Sequence, residues 1–224
     1  MRLDTQVQIG GQELRLIDHD VVLKLSDAGQ ATFRVISANQ PKGVVLFDAG
    51  YTVGNLHRIF VGYVDRATHQ SQKHWTVYCK ELCAALALKA PISLRHCTLP
   101  DVLSEITKAT DLQFITQAGS HQVSRFANAA DGFYALRNTA RVFSIDDFAW
   151  YQQKDGKLWL GEWKDCAYAK AGNIELDSQL YTKQQPSGAT LPAIPALRPG
   201  MLLNQQRLTY VRLKSHETTI RWKH

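Results

Sequence analysis

The feature that most constrains this sequence is the alternation of apolar and polar side chains in short runs, separated by turn residues, across residues 1–90. Gln6, Val7, Gln8 and Ile9 alternate, Gly10 and Gly11 supply a hairpin turn, and Glu13, Leu14, Arg15 and Leu16 alternate again. Val21, Leu23 and Leu25 alternate with Val22 and Lys24. After the turn Asp27-Ala28-Gly29, Phe33 and Val35 alternate with Thr32 and Arg34. Gly50, Gly54 and Asn55 predict a loop, followed by a long strand over 57–66 that pairs with a second over 73–80 through a polar connection, 67–72. A period of two sends one face of each strand into a core and the other into water, whereas a helix needs a period near 3.6 to do the same. Short strands at regular spacing with turns between them predict a barrel or sandwich.

After Val77 the period changes. Leu82, Ala85 and Leu86 predict a helix over 80–88, stopped by Pro91. Thr98 as N-cap and Asp101 three residues on introduce a second helix, with Leu99, Val102, Leu103 and Ile106 on one face. A short strand is expected at 112–115. A further helix follows from Gly132 to about Phe143, carried by Phe133, Leu136, Ala140 and Phe143. A β-hairpin is expected at 149–163 around Asp155-Gly156. Four of the seven prolines (Pro186, Pro192, Pro195, Pro199) then fall within fourteen residues, which predicts an extended linker or wrapping segment. Strands are expected at 201–203, 207–214 and 217–223. The fold class is therefore α+β and mainly β. It divides into a first barrel-like β-domain (1–90), a mixed α/β middle region (91–165) and a second, abbreviated barrel-like β-domain (166–224) with its Pro-rich segment at 186–199.

With 224 residues, 45% of them hydrophobic, the chain can bury a core without a metal or disulfide staple. Met1-Arg2-Leu3-Asp4 opens no apolar run of secretory-signal length, so Cys79, Cys83, Cys97 and Cys166 are expected as reduced, buried thiols in a cytoplasmic setting. No window is long and apolar enough to span a bilayer. Cys79 and Cys83 with His96-Cys97 lack the spacing of a zinc site.

Other chemical constellations are weak. There is no phosphate loop, since Gly10-Gly11 and Gly50/Gly54 lack the pattern, and there is no Gly-x-Ser-x-Gly elbow. Ser120-His121 has no identifiable orienting acid. Asp146-Asp147 and Glu162/Asp165 read as solvated caps, and His57, His69 and His74 as residues bordering an exposed hairpin. Trp150, Trp159 and Trp163 with Tyr151 read as core or interface packing in preference to a stacking platform for single strands. No catalytic, cofactor-binding or metal residue is assigned, and no small-molecule ligand is expected.

The charge is informative through its distribution. Lys and Arg number 26 against 20 Asp and Glu, giving +6. Residues 198–224 hold Arg198, Arg207, Arg212, Lys214, Arg221 and Lys223 against the single acid Glu217, so this end alone carries +5 and the rest +1. Arg212 and Lys214 alternate with Val211 and Leu213, and Arg221 and Lys223 with Ile220 and Trp222. One face is apolar and the other positive, without the interspersed Gly, Asn or exposed aromatics of dedicated nucleic-acid binders. Arg198, Arg212, Lys214, Arg221 and Lys223 are the candidate assembly or basic-surface residues. The alternative is a nucleic-acid-binding β-barrel that uses these strands.

One arrangement is more specific. Arg58-Ile59-Phe60-Val61-Gly62-Tyr63-Val64-Asp65-Arg66, a hairpin to Trp75-Thr76-Val77-Tyr78-Cys79, and the capped helix Thr98-Leu99-Pro100-Asp101-Val102-Leu103 resemble phage tail hub proteins. The group is that of late-control protein D and the Mu-like baseplate hubs, related in fold to the type VI secretion spike. The helix at 133–143, Trp150-Tyr151-Gln152 with the Asp155-Gly156 hairpin, and Leu197-Arg198-Pro199-Gly200-Met201 extend the resemblance over most of residues 20–224. The resemblance implies a non-enzymatic homotrimer in which each chain contributes two barrel-like β-domains to a pseudo-sixfold ring. Such a ring docks the tail tube on one side and the central spike or tip protein on the other, contacts other baseplate proteins, and meets DNA only as transiting cargo. It implies a place in the virion tail, with assembly in the host cytoplasm. The chain departs from the group in being shorter, and the region after Pro199 is too brief for a full barrel.

Overall fold

A computed structural model describes residues 2–52, 56–117 and 121–223. Gly54 and Asn55, expected in a loop, lie outside the described residues. The chain forms two compact units, Met1–Leu82 together with Gly172–His224, and Cys83–Ala171. It is mainly β with few helices.

The larger unit begins with β1 (Asp4–Ile9), β2 (Gln12–Lys24), β3 (Gln30–Ile36), β4 (Val44–Gly50), β5 (His57–Ser71) and β6 (His74–Glu81). Their antiparallel pairings run β1-β4-β5-β6-β3-β2, and β2 returns to β1 through Val7↔Leu14, so the six pairings close on themselves. Closure leaves these strands few free edges. The core inside is built from the alternating residues: Val7, Phe33, Val35, Val45, Phe47 and Val77 are wholly buried, and the Phe33 ring lies 5.1 Å from Phe47 and 6.2 Å from Phe60. Cys79 is buried among them, and desolvation, with Asp65 adding to it, pushes its thiol up to about 12.

β2 merges the runs that alternation separates at 13–16 and 21–25. A bulge between Leu16 and Asp18 inserts Ile17, which is exposed. One extra residue reverses the parity of a strand. Leu14 and Leu16 therefore face the core before the bulge, and His19, Val21 and Leu23 face it afterwards.

Gly62, in the Gly-Tyr-Val run of β5, sits where a methyl group would overlap the Lys80 carbonyl oxygen and come within 2.6 Å of the Phe60 ring. Neither neighbour is the end of a flexible chain. Gly62→Ala is expected to lower the stability of this unit by about 3 kcal/mol, the upper part of the overpacking range. A shift of the urea midpoint at unchanged slope measures it.

His19 brings an ionisable imidazole into this core. It is buried at 5.1 Å from the Phe47 ring, and its Nε2 has no hydrogen-bond partner. Burial, the largest influence, holds its pKa below the usual value. Asp18 and Asp20 oppose that effect, and His216 reinforces it. Because the folded pKa is depressed, the unfolded chain takes up the proton first. The stability due to neutral His19 is full above the unfolded value, near 6.5, and is lost as pH falls below it. Thermal melts at pH 7 and pH 5 should show a drop that His19→Phe reduces; an equal drop in both proteins would refute this account.

Two turns of 3-10 helix, Leu82–Ala87, lead into the smaller unit in place of the longer helix expected over 80–88, because β6 holds the chain extended to Glu81. It continues with β7 (Ile92–Thr98), α1 (Leu99–Thr110), β8 (Phe114–Thr116), β9 (Gln122–Asn128), α2 (Gly132–Val142), β10 (Phe148–Gln152), β11 (Leu158–Glu162) and α3 (Ala167–Lys170). α1 has the expected cap: the Thr98 N–H and hydroxyl donate to Asp101 at 2.8 and 2.7 Å, which holds that carboxyl below the usual range. β10 and β11 form the hairpin around Asp155-Gly156, with Gly156 at φ +88°, and β8 adds in parallel beside β11. Trp150 and Trp159 are buried in it as core residues, whereas Trp163 begins a 3-10 turn after β11. β7 and β9 form a separate antiparallel ribbon that alternation did not reveal.

The chain then returns to the larger unit as β12 (Asn173–Ile174), β13 (Lys183–Gln185), β14 (Gly188–Pro192), β15 (Leu202–Leu203), β16 (Gln206–Lys214) and β17 (Glu217–Trp222). These strands belong to the same compact unit as β1–β6. Tyr210–Lys214 of β16 pair antiparallel with Asp20–Lys24 of β2, so the sheet continues from β2 through β16, β17 and β14 to β13. β2, at 13 residues, is long enough to close the ring with its first residues and to offer its last ones to β16. The Pro-rich segment is likewise a packed element. β14 pairs with β17, and Ala189, Leu191, Ala193 and Leu197 are buried. Pro186 precedes β14 and Pro192 ends it, positions at which a ladder tolerates a missing N–H.

Candidate assembly surface

The five sequence-selected basic residues separate into three environments. In β16 and β17, Val211, Leu213 and Ile220 are buried, and Trp222 packs against the apolar cluster that holds Val211 and Ile220. Arg212, Lys214 and Arg221 take the opposite face, and Lys214 and Arg221 are exposed there; Lys223, just beyond β17, is also exposed. Register places Lys24, Tyr210, Arg221 and Gly188 in one row across four strands, and Val22, Arg212, Thr219 and Thr190 in the next. The Thr190 and Thr219 hydroxyls are hydrogen-bonded at 3.3 Å.

Arg212 is not a free cation. Its guanidinium grips Asp20 of β2, with Nε 2.7 Å from one carboxylate oxygen and the pair partly buried. That hydrogen bond is the main reason the Arg212 pKa rises above its ordinary value. The pair fastens β16 to β2 across a separation of 192 residues. Lys24 is engaged by Asp27 at 2.7 Å. Lys214 stands opposite Glu217 in the β16–β17 register.

Arg198 is not a surface residue. It is buried, and its guanidinium donates to the backbone carbonyls of Pro195, Leu197 and Arg58. A planar fork of five donors suits a cluster of inward-facing carbonyls as well as it suits a carboxylate, which is why residue type alone misplaces it.

Two participants were missed from the sequence. Asp20 gives no local signal of its partner. Tyr210 lies on the basic face, and the Arg221 guanidinium sits over its ring at 4.9 Å, so the face does carry an aromatic residue. The available clue was the spacing of Tyr210 and Arg212, which two residues apart on a strand share one face.

The remaining candidates disperse. Asp146 and Asp147 are exposed, and Glu162 is paired with Lys164 at 2.6 Å. His69 and His74 each contact a backbone carbonyl of their own hairpin, Gln72 and Ser71. His121 is exposed; Gly119 and Ser120 lie outside the described residues. All four cysteines are buried free thiols, and among the described residues no three His, Cys, Asp or Glu side chains converge on a possible metal position.

A six-stranded ring of pairings extended by a C-terminal sheet, with a small α/β unit inserted between them, defines a fold shared with phage tail proteins. The chain matches the 43 kDa tail protein of prophage MuSo2 from Shewanella oneidensis with a TM-score of 0.74 and 8% identity, covering 100% of this chain and 98% of that one. It matches a tail protein from Neisseria meningitidis MC58 at 0.71 and 11% identity, covering 100% and 97%. A component of the E. coli type VI secretion system, itself similar to T4 tail proteins, matches at 0.64 and 11% identity over 97% of this chain and 77% of that one. At such identities the likeness is one of fold. In sequence, the chain is 27% identical over 223 residues to an uncharacterised 58.7 kDa protein in the lys 3' region of Haemophilus phage HP1; the match covers 97% of this chain and 41% of that protein. No family model matches the chain.

Proposed function

We infer that this protein is a non-enzymatic, structural component of the tail of a phage or phage-like particle, acting as a hub that joins the tail tube to the central spike. The observation that carries this reading is the whole-length likeness to the MuSo2 prophage tail protein, which takes in both compact units. The phage HP1 relative supports it from sequence. Likeness to chains of the Francisella PdpA–VgrG complex, at a TM-score of 0.56, supports a place beside a spike.

In this reading three chains assemble into a pseudo-sixfold ring. Each supplies the closed six-strand ring and the adjoining C-terminal strands as its two β modules. DNA passes through the bore as cargo, and the particle is assembled in the host cytoplasm. Lys214, Arg221 and Lys223, with Tyr210 beneath Arg221, form the face turned to an acidic neighbour in the assembly. Arg212 and Arg198 act inside the chain and hold the modules' strands in place. A closed, symmetric oligomer needs large complementary surfaces and no reacting group.

Native mass spectrometry of the purified chain, alone and with tube and spike proteins, tests the reading: a trimer in either condition is expected. A monomer under both conditions that binds DNA with steep salt dependence would overturn it in favour of a nucleic-acid-binding protein.

A further inference from the structure

The smaller unit carries a charged surface of a different kind. β7, β9 and α2 together contain Arg95, Arg125, Arg137 and Arg141 and no Asp or Glu. Arg95 and Arg125 are cross-strand partners in the β7–β9 register. Like charges directly opposite one another destabilise a strand pair, and a two-stranded ribbon has little else to offset the cost. His96, next to Arg95, is held at φ +48°, an unfavourable conformation for a residue with a side chain.

α2 continues the surface. Asn138 donates to the Ala127 carbonyl of β9, and Arg141 donates to the Asn138 side-chain oxygen at 3.0 Å, so the helix lies along β9 two residues from Arg125. Tyr134, Arg137 and Arg141 are the exposed stripe of α2, and Tyr134 is 49% exposed. Among the described residues none of the four arginines has an ion-pair partner, whereas Lys108, Lys157 and Lys164 of the same unit each pair with a nearby carboxylate. The acids that flank the three elements are committed to caps: Asp131 accepts from the Tyr134 N–H, and Asp101 from Thr98.

We propose that β7, β9 and α2 form a docking surface for a carboxylate-rich protein partner, whose acidic side chains bridge Arg95 and Arg125 and extend along Arg137 and Arg141. Charge complementarity selects an acidic occupant. The composition selects a protein: arginine with tyrosine, and no lysine on the three elements, matches protein interfaces, whereas single-stranded nucleic acid calls for a row of stacking aromatics, and only Tyr134 is exposed here. Guanidinium forks take carboxylates two bonds at a time. The like-charged pair is then a feature kept for binding at the expense of the free protein. The inference rests on this unit alone and does not depend on the hub reading.

Fluorescence anisotropy with a labelled oligoglutamate peptide and, separately, a labelled DNA duplex of equal charge tests it on the whole chain at moderate salt. R125Q/R141Q should weaken oligoglutamate binding about tenfold, while K42Q/K73Q, which removes the same charge at exposed lysines outside both basic faces, leaves it nearly unchanged. Arg125→Lys, which keeps the charge and so guards against misfolding, should weaken it several-fold. Without peptide, Arg125→Gln should melt higher than the parent. Unchanged binding in R125Q/R141Q and Arg125→Lys, tighter binding of the duplex than of oligoglutamate, or a lower melting temperature for Arg125→Gln would each overturn the proposal.

Discussion

Arg198→Met is expected to destabilise the larger unit by about 3 kcal/mol, the cost of leaving two buried carbonyls and one partly buried carbonyl without their arginine donor, in part recovered by removing a desolvated charge. The carbonyls belong to Arg58, Pro195 and Leu197, so one guanidinium ties β5 to the segment that follows β14. The tie is reinforced from the other side, where the Arg58 side chain is paired with Asp48 of β4. Methionine fills much of the same volume, which isolates the hydrogen-bonding contribution from cavity formation. Urea denaturation followed by tryptophan fluorescence, resolving the two units' transitions, is the measurement. A change within about 0.5 kcal/mol would identify Arg198 as an ordinary surface residue.

Phe47→Ala should cost more, about 3–5 kcal/mol, as expected for an aromatic side chain removed from a rigid core. Phe47 is wholly buried, and its ring meets both Phe33 and His19 at 5.1 Å. A second consequence distinguishes this substitution from other core truncations. The space it opens lies against the histidine whose Nε2 has no partner, so water can reach that nitrogen. The loss of stability between pH 7 and pH 5 should therefore be smaller in Phe47→Ala than in the parent, although the variant is less stable throughout. Calorimetry at the two pH values separates the effects. An unchanged pH dependence would show that His19 does not govern the acid limb.

Much of the architecture was legible because it is local. Alternation identified β1, β3, β5 and β6. The Thr98–Asp101 box located α1, and Asp155-Gly156 located the β10–β11 hairpin. β4 was not read, because Val44-Val45-Leu46-Phe47 is a continuous apolar run without a period. Its alternation exists only in the fold, where Val45 and Phe47 face the core and Val44 faces out. The β7–β9 ribbon was not read for a related reason: Arg95 and Arg125 reveal that they are opposed only once the register is known. On the candidate surface, the apolar-in, basic-out pattern of β16 and β17 was visible, but the Arg212–Asp20 pair and the Arg221–Tyr210 stack were not.

By itself the sequence determined the mainly β character, the positions of turns and caps, and the concentration of positive charge at the C-terminal end, since each depends on neighbours within a few residues along the chain. Only the tertiary structure decided that β2 is one bulged strand serving two partners, that residues 172–224 extend the first sheet, and that one of the five selected cations is buried. The physical reason is the same in each case. A strand's edge and an arginine's donors carry no local preference among partners of equal chemistry, so the choice falls to whichever carbonyl, carboxylate or strand edge the closed sheet brings within reach.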